Sequence, residues 1–383
     1  MNVWWVLLIF ICQPVLWIGI IRTWLTANHR ITHERKDFRS AVYREKFEIR
    51  HLVLWSAGLG ILTSIVTVVL GLMVPVEFLV IYEILTAVML LILPGALLPV
   101  GGLILSILAV WALDYFGIDV ANQFQLPLGL SLSDTASANY LVLLTIAILL
   151  TGFFVSRVGG RYPAPRIFQK RRGKLVAGYP FKELLLIPTI FLVPGDWISS
   201  HLAFWPVFQL GHQSVTFLIL PLLIGFKLTI FKQIPRIALR AIGRRFLILG
   251  GLGGLLIIVN YFVTGIAWYS TAAIAVIYVL IVLRSIWYDR HQRAWYSRVD
   301  EGVRLLGIMP NTPAAKMDLT VGDVILDCNH RPVSSETELY EALLLNPTYC
   351  HLRVTTRDGQ YKITETAIFK DAPHELGLVL FRD

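Results

Sequence analysis

Over its first 283 residues the chain alternates between long apolar runs and short polar connections, and then it changes character. Val3–Ile21, Leu52–Val74, Phe78–Leu113, Tyr140–Val155, Leu184–Val193, Val207–Phe226, Phe246–Thr264 and Trp268–Leu283 carry almost no charge. Runs of about 18 or more apolar residues predict membrane-spanning helices. Phe78–Leu113 is longer than one span and is interrupted at Pro94 and Pro99, so it predicts two short helices or a re-entrant hairpin. From residue 303 onward the pattern shortens to alternating stretches between turn residues, which places a boundary within Arg284–Gly302. The expected architecture is a multi-span, all-α membrane domain over 1–283, a basic linker over 284–302 and a small, mostly-β domain over 303–383. No basic segment precedes Val3 and no small-x-small site follows the first run, so that run reads as a permanent helix rather than a signal peptide.

Turn chemistry resolves the C-terminal region further. Gly302–Met309 predicts a strand ended by Pro310-Asn311. Thr312-Pro313 is an N-cap with proline behind it, opening a short helix Ala314–Asp318. Gly322-Asp323 leads into a strand Val324–Cys328, and Asn329-His330 turns toward Pro332-Val333. Ser335 and Glu338 form a capping-box pair for a helix running to about Leu345. Asp358-Gly359 joins His351–Thr356 to Tyr361–Thr366 as a hairpin, and Gly377–Phe381 predicts a last strand.

Composition supports the membrane reading. The 383 residues are 56% hydrophobic and 15% charged, against about 25% charged in an average soluble domain. The mean hydropathy is +0.66. Three cysteines cannot form a disulfide scaffold in a chain this long. The net charge of +9 points to nucleic acid or an anionic membrane surface, and its distribution decides between them. Residues 1–302 carry +12 and residues 303–383 carry −3. The basic residues border the apolar runs, where anionic lipid headgroups attract them; a nucleic-acid domain would gather them on one folded face. Arg22–Arg50 and Arg157–Lys182 hold eight Lys and Arg each, Lys227–Arg245 six and Arg284–Gly302 four, whereas Pro75–Glu77, Asp114–Asn139, Pro194–Pro206 and the turn at Gly265 hold none. The positive-inside rule then gives an outside N-terminus, about nine crossings and a cytoplasmic C-terminal domain.

The residues of that domain carry a resemblance. Gly302-Val303, Met309-Pro310-Asn311-Thr312-Pro313-Ala314-Ala315-Lys316 and Leu319-Thr320-Val321-Gly322-Asp323-Val324-Ile325 resemble a circularly permuted bacterial PDZ domain, with Asn311 and Asp318 at two customary glycine positions. Asn and Asp tolerate left-handed backbone best. The resemblance implies a peptide-binding loop at Leu376, Gly377 and Leu378. There a glycine lets backbone N–H groups converge on a carboxylate, and the following strand takes an incoming peptide by β-addition. Of the helix's apolar pairs, Leu339/Leu343 and Tyr340/Leu344, the second is expected to line the groove.

The whole pattern, a polytopic region, a basic loop after the first span and one C-terminal PDZ-like domain ending in His374-Glu375-Leu376-Gly377-Leu378, is similar to the MinJ-type cell-division topological determinants of Gram-positive bacteria. That resemblance implies a scaffold without catalysis, enriched at poles and septum. Its implied partners are a DivIVA-type curvature sensor and a MinD-type ATPase.

Candidate chemistry is sparse. An intramembrane zinc protease needs H-E-x-x-H on a helix; His374-Glu375 and His33-Glu34 lack the second histidine. Asp196, Ser199, Ser200 and His201 supply triad residue types in an outer loop, but a triad is a matter of geometry. Gly250 and Gly254 lie in an apolar run as a G-x-x-x-G packing face, not a phosphate cradle. Glu83 is the one carboxylate set within a span, the kind of residue that can mark an ion path. No cofactor, metal or enzymatic activity is expected. A protease or secretion accessory, or a transporter with a regulatory PDZ domain, is the alternative role.

Overall fold

In the computed structural model the described residues are 3–92, 99–116, 134–169, 174–194, 207–210, 213–263, 265–290, 295–368 and 376–382. Helices α1 (Val3–Cys12) and α2 (Pro14–Phe38) meet at a 53° bend. Pro14 opens α2, where a missing N–H costs nothing, whereas the same ring inside one continuous helix would break it. Then follow α3 (Phe47–Val69), α4 (Val76–Ile92), α5 (Pro99–Tyr115) and α6 (Asp134–Val158). After the central strands come α7 (Pro235–Phe262) and α8 (Ala267–Arg290). Among the described residues, four helices are long and apolar enough to cross a bilayer, or five if α1 and α2 form one broken span. The run Phe78–Leu113 forms two helices, α4 and α5, whose connection at 93–98 lies outside the described residues.

Two of the expected spans are not helices. Leu184–Val193 and Val207–Phe226 fall in a four-stranded antiparallel sheet of order β1-β2-β4-β3, made by β1 (Arg166–Gln169), β2 (Leu175–Pro194), β3 (Val207–Leu210) and β4 (Gln213–Ile230). The membrane domain is therefore not all-α. The central pair β2–β4 runs in unbroken register from Tyr179↔Ile230 to Pro194↔Val215, about 50 Å at 3.4 Å per residue and longer than the ~30 Å hydrocarbon layer. Both faces are covered: the pair Leu185 and Ile224 on one side and the pair Leu186 and Leu223 on the other are all buried. A strand buried on both faces is uniformly apolar and has no alternation to betray it.

A sheet edge in an apolar medium must have its backbone groups satisfied. Helix α3 does this for β2. Ser56 Oγ accepts from Leu186 N–H (3.2 Å), Ser64 Oγ accepts from Ile190 N–H (3.1 Å) and donates to Pro188 C=O (3.3 Å), and Thr67 Oγ1 donates to Ile190 C=O (2.7 Å). Gly60 allows the approach: a Cβ there would lie 2.7 Å from the Pro188 ring. On the opposite edge Tyr82 of α4 accepts from Leu223 N–H (2.8 Å) and donates to Pro221 C=O (3.3 Å), while Gln13 Nε2 donates to Ile219 C=O (2.7 Å).

Helices α6 and α7 touch backbone to backbone. A Cβ on Gly152, Gly243, Gly250 or Gly253 would meet the facing helix at 2.4–2.9 Å, whereas Gly254 has nothing within 4 Å. The packing face is thus Gly243, Gly250 and Gly253, which corrects the Gly250/Gly254 assignment. Glu83 accepts from Val15 N–H at 3.2 Å, meeting an otherwise orphan donor in the first turn of α2.

The C-terminal region forms a sheet of order β10-β9-β7-β5, from β5 (Val303–Arg304), β7 (Val324–Cys328), β9 (Tyr349–Thr355) and β10 (Tyr361–Ala367), with β8 (Arg331–Pro332) pairing β7. A second pair joins β6 (Gly307–Ile308) to β11 (Leu378–Val379). The expected single strand Gly302–Met309 is divided where it changes partner, Val303–Arg304 pairing β7 and Gly307–Ile308 pairing β11. The expected helix Ala314–Asp318 is a single 3₁₀ turn, Pro313–Lys316, before which Thr312 Oγ1 donates to Met309 C=O rather than capping. Helix α9 (Glu336–Leu344) is capped as expected by Ser335, whose Oγ accepts from Glu338 N–H at 3.1 Å. The returning contact differs by one residue, since Glu338 accepts from Ser334.

Candidate functional site

Gly377 sits at φ +89°, and a Cβ there would lie 2.1 Å from Thr312 Oγ1. Only glycine fits this position, because an L-residue would be strained in the left-handed region and would collide as well. From Gly377 the chain runs into β11. Met309 N–H donates to Gly377 C=O and Leu306 N–H to Val379 C=O, both at 2.8 Å, while Ala314 N–H donates to Leu376 C=O at 3.0 Å. One edge of β11 is therefore taken by β6, which leaves the backbone groups of Leu378 directed to the other side.

The side chains of Leu376, Leu378 and Leu380 enter the module's core beside Leu339, Ala342 and Leu343 of α9. Tyr340 and Leu344 lie on the neighbouring stripe, 36% and 76% exposed. Two of the five expected peptide-binding residues are thus on the surface, two contribute core side chains, and Gly377 shapes the loop. His374 and Glu375, and the candidate triad residues Asp196, Ser199, Ser200 and His201, lie outside the described residues. Left-handed backbone occurs at Asn311 (φ 61°), Asn329 (φ 49°) and His330 (φ 65°). Asp318 does not share it; its carboxylate pairs with Lys362 instead.

The sequence patterns did not reveal that this module is seated on the sheet of the membrane domain. Val379, Phe381 and Leu306 pack with Val42, Ala177, Tyr179 and Tyr296 in one cluster. Tyr179 donates to Leu306 C=O at 2.6 Å and meets Tyr296 edge-on at 4.7 Å. Ala177 N–H donates to Tyr296 C=O at 2.8 Å, so the segment after α8 joins the sheet. Arg357 Nη2 donates to Lys232 C=O at 3.1 Å. Arg304 and Arg357 both lie over the Trp295 ring, at 4.7 and 5.1 Å from its centroid. Burial lowers the Arg304 pKa and raises that of Tyr296 to about 12. The aromatic pair Trp295-Tyr296 within a basic linker was the available signal, since solvated linkers are poor in aromatics.

No family model matches the chain and no solved structure matches it. Curated relatives do. A protein of Lacticaseibacillus paracasei described as a probable cell division topological determinant MinJ is 32% identical over 374 residues, covering 96% of this chain and 95% of its own. The cell division topological determinant MinJ of Bacillus subtilis strain 168 is 27% identical over 379 residues, covering 98% and 94%. Both similarities run through the membrane helices, the central sheet and the C-terminal module alike.

Proposed function

Because the chain belongs to the MinJ family of cell division topological determinants, we propose that it is a membrane-anchored scaffold that positions division-site regulators of the Min system at the poles and septum. The observation that supports this reading is the end-to-end similarity to relatives described as cell division topological determinants. On this reading residues 1–283 anchor, 284–302 link, and 303–383 form a cytoplasmic PDZ domain. Partners are a DivIVA-type curvature sensor and a MinD-type ATPase, with anionic lipids attracted to the basic loops. Replacing two helices by the hairpin β2–β4 keeps the crossing parity, since two antiparallel strands also return the chain to its starting side. In this reading the C-terminus stays on the cytoplasmic side.

The groove of this reading lies between the unpaired edge of β11 and α9, with Leu376, Gly377 and Leu378 forming the loop and Tyr340 and Leu344 its exposed wall. Anchoring confines partners to a thin layer beside the bilayer and raises their effective concentration, so modest affinity suffices. The test is a fluorescent fusion of the full chain, alone and carrying Tyr340→Glu with Leu344→Glu. Septal and polar enrichment, with partner recruitment lost in the double variant, is expected. A uniform envelope signal from the unaltered protein refutes the scaffold, and unchanged recruitment by the variant removes the groove.

A further inference from the structure

A polar cavity of about 320 Å³ opens beside the charged end of α2, between that helix and the sheet. Its walls carry His29, His33, Arg166 and Lys182, together with three carboxylates. Each carboxylate is already engaged. Arg30 bridges Glu34 (2.9 Å) and Glu48 (2.6 Å), and His51 Nδ1 contacts Glu183 at 2.7 Å. Among the described residues, neither Lys182 nor Arg166 has a carboxylate partner within salt-bridge distance. Lys182 instead faces Lys227 directly across the β2–β4 ladder. Like charges placed opposite one another in a sheet are destabilising, and an anion held by Lys182 would relieve the repulsion.

On its apolar side the cavity shares walls with a second one. Thr26, Lys182 and Glu183 also line a smaller hollow of about 70 Å³, whose other walls include Leu90, Pro99, Leu184 and Phe226, with Arg22 and Lys227 at its rim. A cavity whose carboxylates are taken up by Arg30 and His51 while Lys182 and Arg166 have none, next to an apolar-walled hollow, suits the two-part chemistry of a phospholipid, a phosphate at one end and acyl chain at the other. A soluble phosphate ester would have no use for the apolar part. We propose that this cavity binds the phosphate of an anionic phospholipid from the leaflet that the basic loops face, with Lys182 and Arg166 as its cations and the acyl chains leaving past Leu184 and Leu90.

The site rests on the attraction of anionic lipids to the basic loops given under the proposed function, but it involves neither the C-terminal groove nor any protein partner, so its failure leaves the scaffold reading standing. The experiment is native mass spectrometry of the full-length protein released from phosphatidylglycerol or phosphatidylcholine nanodiscs. Variants are Lys182→Gln with Arg166→Gln, Lys182→Arg, and Arg240→Gln as a charge change on the exposed face of α7. Phosphatidylglycerol adducts are expected to survive on the wild type, K182R and R240Q, to fall about tenfold in K182Q or R166Q alone, the scale of one lost charge-assisted contact, and about a hundredfold in K182Q/R166Q, which loses two. Equal retention by K182Q/R166Q overturns the site, as does an equal loss in R240Q, which marks diffuse surface attraction. Displacement of the lipid by millimolar inorganic phosphate, with no preference for phosphatidylglycerol over phosphatidylcholine, assigns the cavity to a soluble phosphate and overturns the lipid. Thermal melting of each variant identifies one that has lost its fold; the single variants Lys182→Gln and Arg166→Gln, set against K182R, then carry the comparison.

Discussion

Pro188 and Pro221 stand directly opposite each other in the central hairpin, each at a position whose backbone groups point away from the partner strand. Neither lacks a ladder hydrogen bond, because a proline has no N–H to offer at an outward position. Their carbonyls are taken up by Ser64 and Tyr82 from the two flanking helices. Between the short stretches paired by β1 and β3, the hairpin is thus closed off on both sides by proline where a donor would be orphaned and by hydroxyls where donors and acceptors remain.

Removing one of those hydroxyls leaves buried backbone groups without partners. Tyr82→Phe strands Leu223 N–H and Pro221 C=O, and Ser64→Ala does the same to Ile190 N–H and Pro188 C=O. Each should cost about 1–3 kcal/mol, read as a lower midpoint of thermal unfolding in detergent. Thr26→Ala is the control: it removes a hydroxyl bonded only within α2 and should shift the midpoint less.

Seating of the C-terminal module depends on Tyr179. Its hydroxyl is the donor to Leu306 C=O at 2.6 Å in a buried setting. Tyr179→Phe should weaken the contact by about 1–2 kcal/mol and speed proteolytic cleavage of the segment around Trp295. Cleavage at the wild-type rate would show that the hydrogen bond does not hold the module in place.

Gly377→Ala should destabilise the module far more than an ordinary Gly-to-Ala change. It combines strain at φ +89° with a collision at Thr312. Thr312→Ser removes the methyl group that the new Cβ meets at 2.6 Å but leaves the hydroxyl and Cβ at that position, so rescue by this second change should be small. The readout is loss of protease resistance after residue 303 in the full chain, and resistance equal to that of the wild type would contradict the tight fit.

Alkali should release the junction. Burial raises the Tyr296 phenol to about 12, above the value near 10 of an unfolded tyrosine. A group whose pKa is raised on folding contributes stability that is complete below the unfolded value. That contribution is lost as pH rises through the folded one. In a tyrosine absorbance titration, Tyr296→Phe should therefore subtract one phenol from those that ionise late. If the phenol that the substitution removes is instead one that ionises by pH 10, Tyr296 is not buried at the junction.

By itself the sequence determined that this is a membrane protein, that a second, β-rich module follows residue 302, and which family it joins. These rest on local properties: length of apolar runs, turn dipeptides, the Ser335 cap and the Gly377 loop. It did not distinguish helix from strand at Leu184–Val193 and Val207–Phe226. A segment buried on both faces has no periodicity to read. The brevity of the first run and the prolines at 188 and 221 were the signals available. Tertiary structure alone decided which glycines of α7 meet α6, where Glu83 finds Val15, and that Lys182 faces Lys227 beside a polar cavity. It also decided that the C-terminal module rests on the sheet. Those facts depend on which surfaces meet across tens to hundreds of residues, and burial and hydrogen-bond satisfaction select them only when the whole chain is assembled.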